Sequence, residues 1–395
     1  MQILLLVIGA YLFLPILGEL TLLITGDQIV AGDVTWGLFF SNLIYSSIVY
    51  GIILFFYISK KNNKIGFIAE SKDKRTVKRI AVFITFLCLA MFYFSGYDYL
   101  IRGIHRGEIR IEQGLLGFVS KWIMIYAIPV LFFINSVIVY RNRKIFFLNY
   151  YIYLIGALSA IFTGYKFVLV FCFIPVLVVA LYHKNIVKTL LLVAPMVLLV
   201  LTITTKFVMN YDSYLESFNF LIHRMTIMSA FGTIGVWNYY PNGASFSEVM
   251  RLTYSIFGNK INHFIFGIEF NSIEILDTNL SRKMTYLVYP SWETALSGTS
   301  NITVTNFGEA IYIFGKNYWI YAVACGGVFS FVILKLITNI NKGNIIKSSM
   351  YLIYILSVLL VWLNSSSIFT LFSLPVFIYL LMTYIMLMIL LKTKF

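Results

Sequence analysis

Residues 37–58, GLFFSNLIYSSIVYGIILFFYI, are followed by 59–79, SKKNNKIGFIAESKDKRTVKR, and then by 80–97, IAVFITFLCLAMFYFSGY. Two apolar runs flank a strongly basic one. A spanning helix needs about 20 mostly apolar residues, so each outer run can cross a bilayer. Lysine and arginine in a short connection are retained on the cytoplasmic side. The stretch therefore reads as a membrane hairpin whose turn faces the cell interior.

The same pattern extends in both directions. Residues 1–24, MQILLLVIGAYLFLPILGELTLLI, lack the basic flank and small-residue cleavage site of a signal peptide and read as a retained first span. Further apolar runs cover 116–139, 145–162, 167–182, 189–208, 318–336, 349–363 and 368–391, giving ten candidate helices. A chain of 395 residues that is 60% hydrophobic and 12% charged, with mean hydropathy +0.87, is excluded from the water-soluble classes. The expectation is an all-α polytopic membrane protein forming one integral membrane domain over 1–395.

The net charge of +14 invites a nucleic-acid reading, but its distribution removes it. Five connections hold Lys60, Lys61, Lys64, Lys72, Lys74, Arg75, Lys78 and Arg79; Arg141, Arg143 and Lys144; Lys184 and Lys188; Lys335, Lys342 and Lys347; and Lys392 and Lys394. Against these eighteen bases stand only Glu70 and Asp73, whereas the remaining residues are slightly acidic. All five fall on one side of a ten-span topology with both termini cytoplasmic, so the charge records orientation. Cys88, Cys172 and Cys325 lie inside apolar runs and read as small core residues, not as a disulfide framework or metal cluster.

The opposite face receives a short loop over 98–115, a tight hairpin near 163–166 and one long stretch over 209–316. A connection that long is functional or disordered, and this one is too apolar and aromatic for disorder. Ser245 and Glu248 form a capping-box pattern opening SFSEVMRLTYSIFG, read as an amphipathic helix. Residues 215–237 read as a second helix on or dipping into the membrane surface.

Phosphate-loop, dinucleotide, HExxH, paired CxxC and DxD patterns are all missing from the sequence. No cofactor and no metal site is expected, and any chemistry uses a substrate already in the membrane. In DYLIRGIHRGEIRIEQG, Arg102, Arg106 and Arg110 recur at four-residue spacing and share one face if the segment is helical. Guanidinium forks bond anionic oxygens bidentately, so such a row suits pyrophosphate. The competing reading pairs them with Glu108 and Glu112. Arg224, Arg251 and Arg282 lie in apolar settings in the long loop, and Lys166 sits in the hairpin; cations so placed need an anionic partner. Glu19, near the outer end of the first helix, is a weaker charged candidate. Glu309, in TNFGEAIYIFG, follows a small-polar run and precedes a span. It is the expected general base at the mouth of an external cavity, its competing reading being a helix-start acid. His223 and His263 are secondary candidates, and Trp237, Tyr240 and Trp292 offer faces for stacking sugar rings.

On these features the chain resembles the O-antigen polymerase (Wzy) family of bacterial surface-polysaccharide assembly. The likeness rests on ten spans, an arginine-bearing short external loop, the lysine hairpin TGYKF, one dominant external loop and NFGEAIYIFG before the next span. Arg106 to Gly117 and Arg224 to Gly235 fit an Arg-x10-Gly spacing; Arg251 to Gly267 and Arg282 to Gly298 fit Arg-x15-Gly. Lys166 departs from the arginine common in relatives, and the histidine of the related ligases has no counterpart. The resemblance implies a GT-C-like fold in the bacterial inner membrane and a metal-independent glycosyltransferase. Its substrate would be undecaprenyl-pyrophosphate-linked oligosaccharide repeats, polymerised on the periplasmic face. Membrane lipids and a chain-length regulator protein would be its partners, with no nucleic acid. An O-antigen ligase and a lipid-linked oligosaccharide flippase are the alternative readings.

Overall fold

A computed structural model describes the chain except for residues 61–65, 68–72, 105–113, 144–145, 164–165, 183–185, 210, 270–272, 290–301, 365–366 and 393–395. Among the described residues the protein is almost entirely helical, and its only β-type pairing is the isolated bridge between Ile29 and Gly32. In lipid every backbone N–H and C=O must be satisfied within its own segment, so long apolar runs fold as helices.

The helices are α1 Gln2–Thr25, α2 Trp36–Lys60, α3 Asp73–Leu100, α4 Leu116–Asn142, α5 Phe147–Ile161, α6 Lys166–Ala180 and α7 Ile186–Met209. The long loop then supplies α8 Tyr214–Met225, α9 Ile227–Tyr239, α10 Phe246–Arg251, α11 Asn259–Phe266, α12 Ile273–Asp277 and α13 Leu280–Val288. Last come α14 Asn306–Phe314, α15 Tyr318–Asn341, α16 Ile345–Asn364 and α17 Leu374–Lys392. Each of the ten apolar runs of the sequence overlaps a helix over most of its described residues. Among the described residues seven helices are long and apolar enough to cross a membrane, α14 and α15 counting together; α5 and parts of α6 and α7 are shorter apolar helices.

α4 is the centre of the bundle, with 89% of its apolar window buried against 28% for α17. A helix apolar all round has no solvent face to present, which suits the middle of a membrane domain. α2 runs along α15, where Gly326 leaves room for Ile52: a Cβ on that glycine would lie 3.0 Å from the Ile52 Cβ.

Four of the five basic segments meet at one end. The Gly66 N–H donates to Ile340 O at 3.2 Å, tying the 59–79 connection to the last turn of α15. Asp73 and Arg141 form a buried ion pair, and Asn142 Nδ2 donates to Asp73 Oδ2 at 2.8 Å. Arg79 Nη1 donates to Leu390 O at 3.4 Å, bringing in the end of α17. The long loop caps the other end: Asn238 Nδ2 donates to Asp33 O at 3.1 Å, between α1 and α2.

Two loop expectations change. The helix read over 215–237 is two helices broken at Thr226 (φ −105, ψ −79). There the backbone presses on Gly18 of α1, where a Cβ would come within 2.5 Å of Thr226 C and O. α8 does expose Tyr214, Leu215, Phe218 and Ile222, but α9 is no surface helix, since Ala230, Gly232, Ile234 and Val236 are buried. The Ser245–Glu248 capping box forms as read, with Ser245 N donating to Glu248 Oε2 at 3.0 Å. Its α-helix stops at Arg251 and continues as a 3-10 segment, Leu252–Ile256.

Candidate functional site

The polar groups at the loop end converge on α14. Thr305 caps this helix, its hydroxyl lying 2.7 Å from that of Thr233 on α9 while its N–H donates to Thr233 Oγ1 at 3.1 Å. The first residue, Asn306, receives a hydrogen bond from the Tyr45 hydroxyl of α2. One turn on, Glu309 is 2% exposed. Its Oε2 accepts from the Tyr321 hydroxyl at 2.5 Å and from Trp362 Nε1 at 3.0 Å; its Oε1 accepts from the Ile368 N–H at 2.7 Å. Three donors from α15, α16 and the 3-10 segment Ile368–Phe372 thus satisfy one carboxyl, which burial demands.

The next turn of α14 carries Tyr312, whose hydroxyl accepts from Lys283 Nζ of α13 at 3.1 Å. The same ammonium lies 2.9 Å from Glu248 Oε1 and 3.1 Å from Asp277 Oδ1. It also sits 5.4 Å from the Tyr240 ring centre and 5.5 Å from that of Tyr312, within cation–π range. Arg251 pairs with the other oxygen of Asp277. Four helices of the long loop and its exit, α10, α12, α13 and α14, are pinned together here with Tyr240 at the end of α9. Partial burial works against the Lys283 charge but is outweighed by bonds to Glu248, Tyr312 and Asp277, so its pKa is raised. Burial likewise pushes Glu248 up, yet hydrogen bonds from Lys283 and Ser245 hold it down at about 2. Both stay charged across the physiological range.

The residues singled out from the sequence are not gathered in one place. Arg102 is exposed in the turn after α3 and bonded to Asp98 at 3.1 Å; Arg106, Arg110 and Trp292 lie outside the described residues. Lys166 begins α6. Arg224 and His223 are exposed near the end of α8, Arg282 is half-buried on α13, and Trp237 is half-buried on α9. His263 Nδ1 lies 3.1 Å from Ile268 O. Of those that are described, Arg251, Tyr240 and Glu309 belong to the constellation around α14. Glu309 is not at a cavity mouth: α15, α16 and the segment entering α17 close over it. Glu19 is fully buried, accepting from Asn42 Nδ2 at 2.7 Å, with its second oxygen lacking a partner among the described residues.

Sequence reasoning missed Lys283, Asp277, Tyr312, Tyr321 and Trp362. On α13 the buried residues Leu280, Ser281, Met284, Thr285 and Val288 form the inner face. Arg282 and Lys283 flank that face on opposite sides at about 100° per residue, so helical phase alone could not choose between them. Tyr321, one turn into α15, and Trp362, near the end of α16, sit where aromatic belts are expected, which hid their bond to Glu309. Comparison with protein-family models, with curated proteins and with solved structures finds no match to this chain.

Proposed function

We propose that the chain is a bacterial inner-membrane glycan polymerase with ten spans, both termini cytoplasmic, and a GT-C-like arrangement. In this reading it links undecaprenyl-pyrophosphate-borne oligosaccharide repeats on the periplasmic side. The observation that carries the proposal is a buried carboxyl, Glu309, one turn before Tyr312, the residue through which the same short helix meets the Lys283 cluster, at the end of the bundle away from the basic loops. The family resemblance read from the sequence supplies the substrate class.

In the reaction a sugar hydroxyl oxygen of one lipid-linked repeat attacks the anomeric carbon of the growing chain. The anomeric C–O bond to pyrophosphate breaks, the lipid pyrophosphate leaves with the bonding pair, and the hydroxyl proton passes to a base. Cations preorganised around the leaving oxygens lower this barrier most, and Arg251, paired with Asp277 and with its guanidinium half exposed, holds that role. Glu309 is the proposed base. Its oxygens are occupied by donors, so it accepts the proton only when the Ile368 N–H withdraws from Oε1.

The test is reconstitution of the full chain in liposomes with an undecaprenyl-pyrophosphate oligosaccharide. A ladder of polymer on the lipid carrier is expected. Transfer of single repeats across the bilayer without new glycosidic bonds would overturn the reading in favour of a flippase.

A further inference from the structure

A helix at a water-facing surface buries its apolar residues and exposes its polar ones. α11 does the reverse. Asn262 is fully buried, its Nδ2 donating to Tyr254 O at 2.8 Å, while Phe264 is 89% exposed and Ile265 60%. Ile261, half-buried, falls within about 100° of both around the helix axis, so one face of α11 is apolar and turned outward. The helix is nonetheless firmly seated. Gly267, with φ 66, ends it, donating its N–H to His263 O at 3.1 Å. On the inner side the Phe266 ring lies 5.0 Å from that of Tyr254 and 5.5 Å from that of Phe257. Ile268, just past the helix, joins a small core with Ile275 and Leu276. The exposure of Phe264 thus belongs to a packed helix.

The height of α11 is set by α17. A Cβ on Gly258, the residue before α11, would lie 3.5 Å from Pro375 Cγ in the first turn of α17. The 3-10 segment that leads to α11, Leu252–Ile256, packs on Ile368–Phe372, the segment that leads into α17. α17 is long and apolar enough to cross a membrane, and Leu374, Ile378, Leu381 and Ile385 form an exposed row along it. That row faces acyl chains. α11 therefore starts beside the point where a lipid-facing surface begins.

We propose that α11 anchors the long loop in the bilayer, its Ile261, Phe264 and Ile265 face embedded among the acyl chains of the leaflet that α17 enters. Lipid is the complement of an apolar face at that depth, whereas water would leave Phe264 and Ile265 unburied at a standing cost. A short helix lying in the interface with its aromatic side down is a stable arrangement there. In the chain α11 lies between Arg251 on α10 and Asp277 on α12, which pair with each other. Anchoring α11 keeps that ion pair close to the lipid headgroups. Its use there, against a lipid-borne pyrophosphate, rests on the functional reading above; the anchor does not.

The test is site-directed spin labelling of the full chain in phosphatidylcholine liposomes. Phe264→Cys is compared with Phe377→Cys, exposed on α17, and with Asn242→Cys, exposed in the long loop; Cys88, Cys172 and Cys325 are buried and stay in place. Collisions of each label are measured with oxygen, which partitions into lipid, and with a nickel chelate, which stays in water. The label at Phe264 should behave like that at Phe377, with oxygen collisions severalfold above those of nickel, and the label at Asn242 should show the reverse. Ile265→Cys gives the same reading should Phe264→Cys fail to reconstitute. A label at either position that meets nickel as readily as the one at Asn242 overturns the anchor. Shielding from both reagents overturns the lipid assignment, since the face is then covered by protein such as a second copy of the chain. A lipid-embedded label in a protein that builds no polymer supports the anchor and removes the functional reading instead.

Discussion

Glu309 Oε1 accepts the backbone N–H of Ile368 at 2.7 Å, joining α14 to the connection that enters α17. With Tyr321 and Trp362 on the other oxygen, one carboxyl holds three chain segments at the loop end of the bundle. A carboxylate accepts on both oxygens and donates on neither, which is why this position needs an acid and not an amide.

Glu309→Gln therefore has two expected effects. The amide NH2 must face either Ile368 N–H or Trp362 Nε1, leaving one buried donor unsatisfied at a cost of about 1–3 kcal/mol. Chain growth should also be abolished if Glu309 is the base. Tyr321→Phe removes a donor without creating a clash and should cost about 1 kcal/mol. Thermal unfolding of the purified variants checks the first effect, and an unchanged midpoint in Glu309→Gln would show that the three bonds do not hold the segments together.

The ion pair of Asp73 and Arg141 gives a sharper stability test, since both side chains are 5% exposed. Removing the carboxylate takes the counter-charge from a buried guanidinium, so Asp73→Ala should destabilise by about 3–5 kcal/mol. Replacing both by leucine should recover much of that loss, because two apolar side chains need no partner. Denaturant unfolding in detergent compares the single and double variants, and a double variant as weak as the single one contradicts the account.

The helical membrane character, the ten runs and the shared end of the basic loops were legible because they follow from long apolar stretches and short-loop charge. The geometry at α14 was not. Glu309 reads the same from sequence whether it lines a cavity mouth or is sealed by Trp362, which lies 53 residues away in the chain. The break at Thr226 depends on Gly18 of a distant helix, and nothing local to residues 215–237 signals it. Lys283 gains its four-group environment from α10, α12, α14 and Tyr240 at the end of α9, which only tertiary packing brings together.

Gly18 makes that packing testable. A methyl group there would meet the Thr226 backbone at 2.5 Å, a contact that a rotamer change cannot relieve. Gly18→Ala should cost about 1–3 kcal/mol as overpacking and should raise amide exchange in α8 and α9 more than in α4. Uniform exchange across all three helices would place the effect elsewhere.

Orientation is checked by labelling. Ser59, exposed at the basic end, and Asn242, exposed in the long loop, lie at opposite ends of the bundle. A membrane-impermeant thiol reagent applied to intact cells should modify Asn242→Cys and spare Ser59→Cys. The reverse pattern would invert the proposed topology.

The Lys283 cluster predicts a pH dependence of fixed sign. Glu248 is held at about 2 in the folded protein against an ordinary value of 4.5. Its folded pKa is depressed, so the stability it contributes is fully present above 4.5 and is lost as pH falls toward about 2. Hydrogen exchange across Phe246–Arg251 and Leu280–Val288 should accordingly rise as pH drops below 4.5, once the intrinsic pH dependence of exchange is removed. The Glu248 side chain is 30% exposed, so solvent screening keeps the effect local and it does not unfold the bundle. In Glu248→Gln the same segments should exchange faster at pH 7 and show little further change on acidification. A wild-type profile in the Gln variant would mean that Asp277 alone holds Lys283 in place.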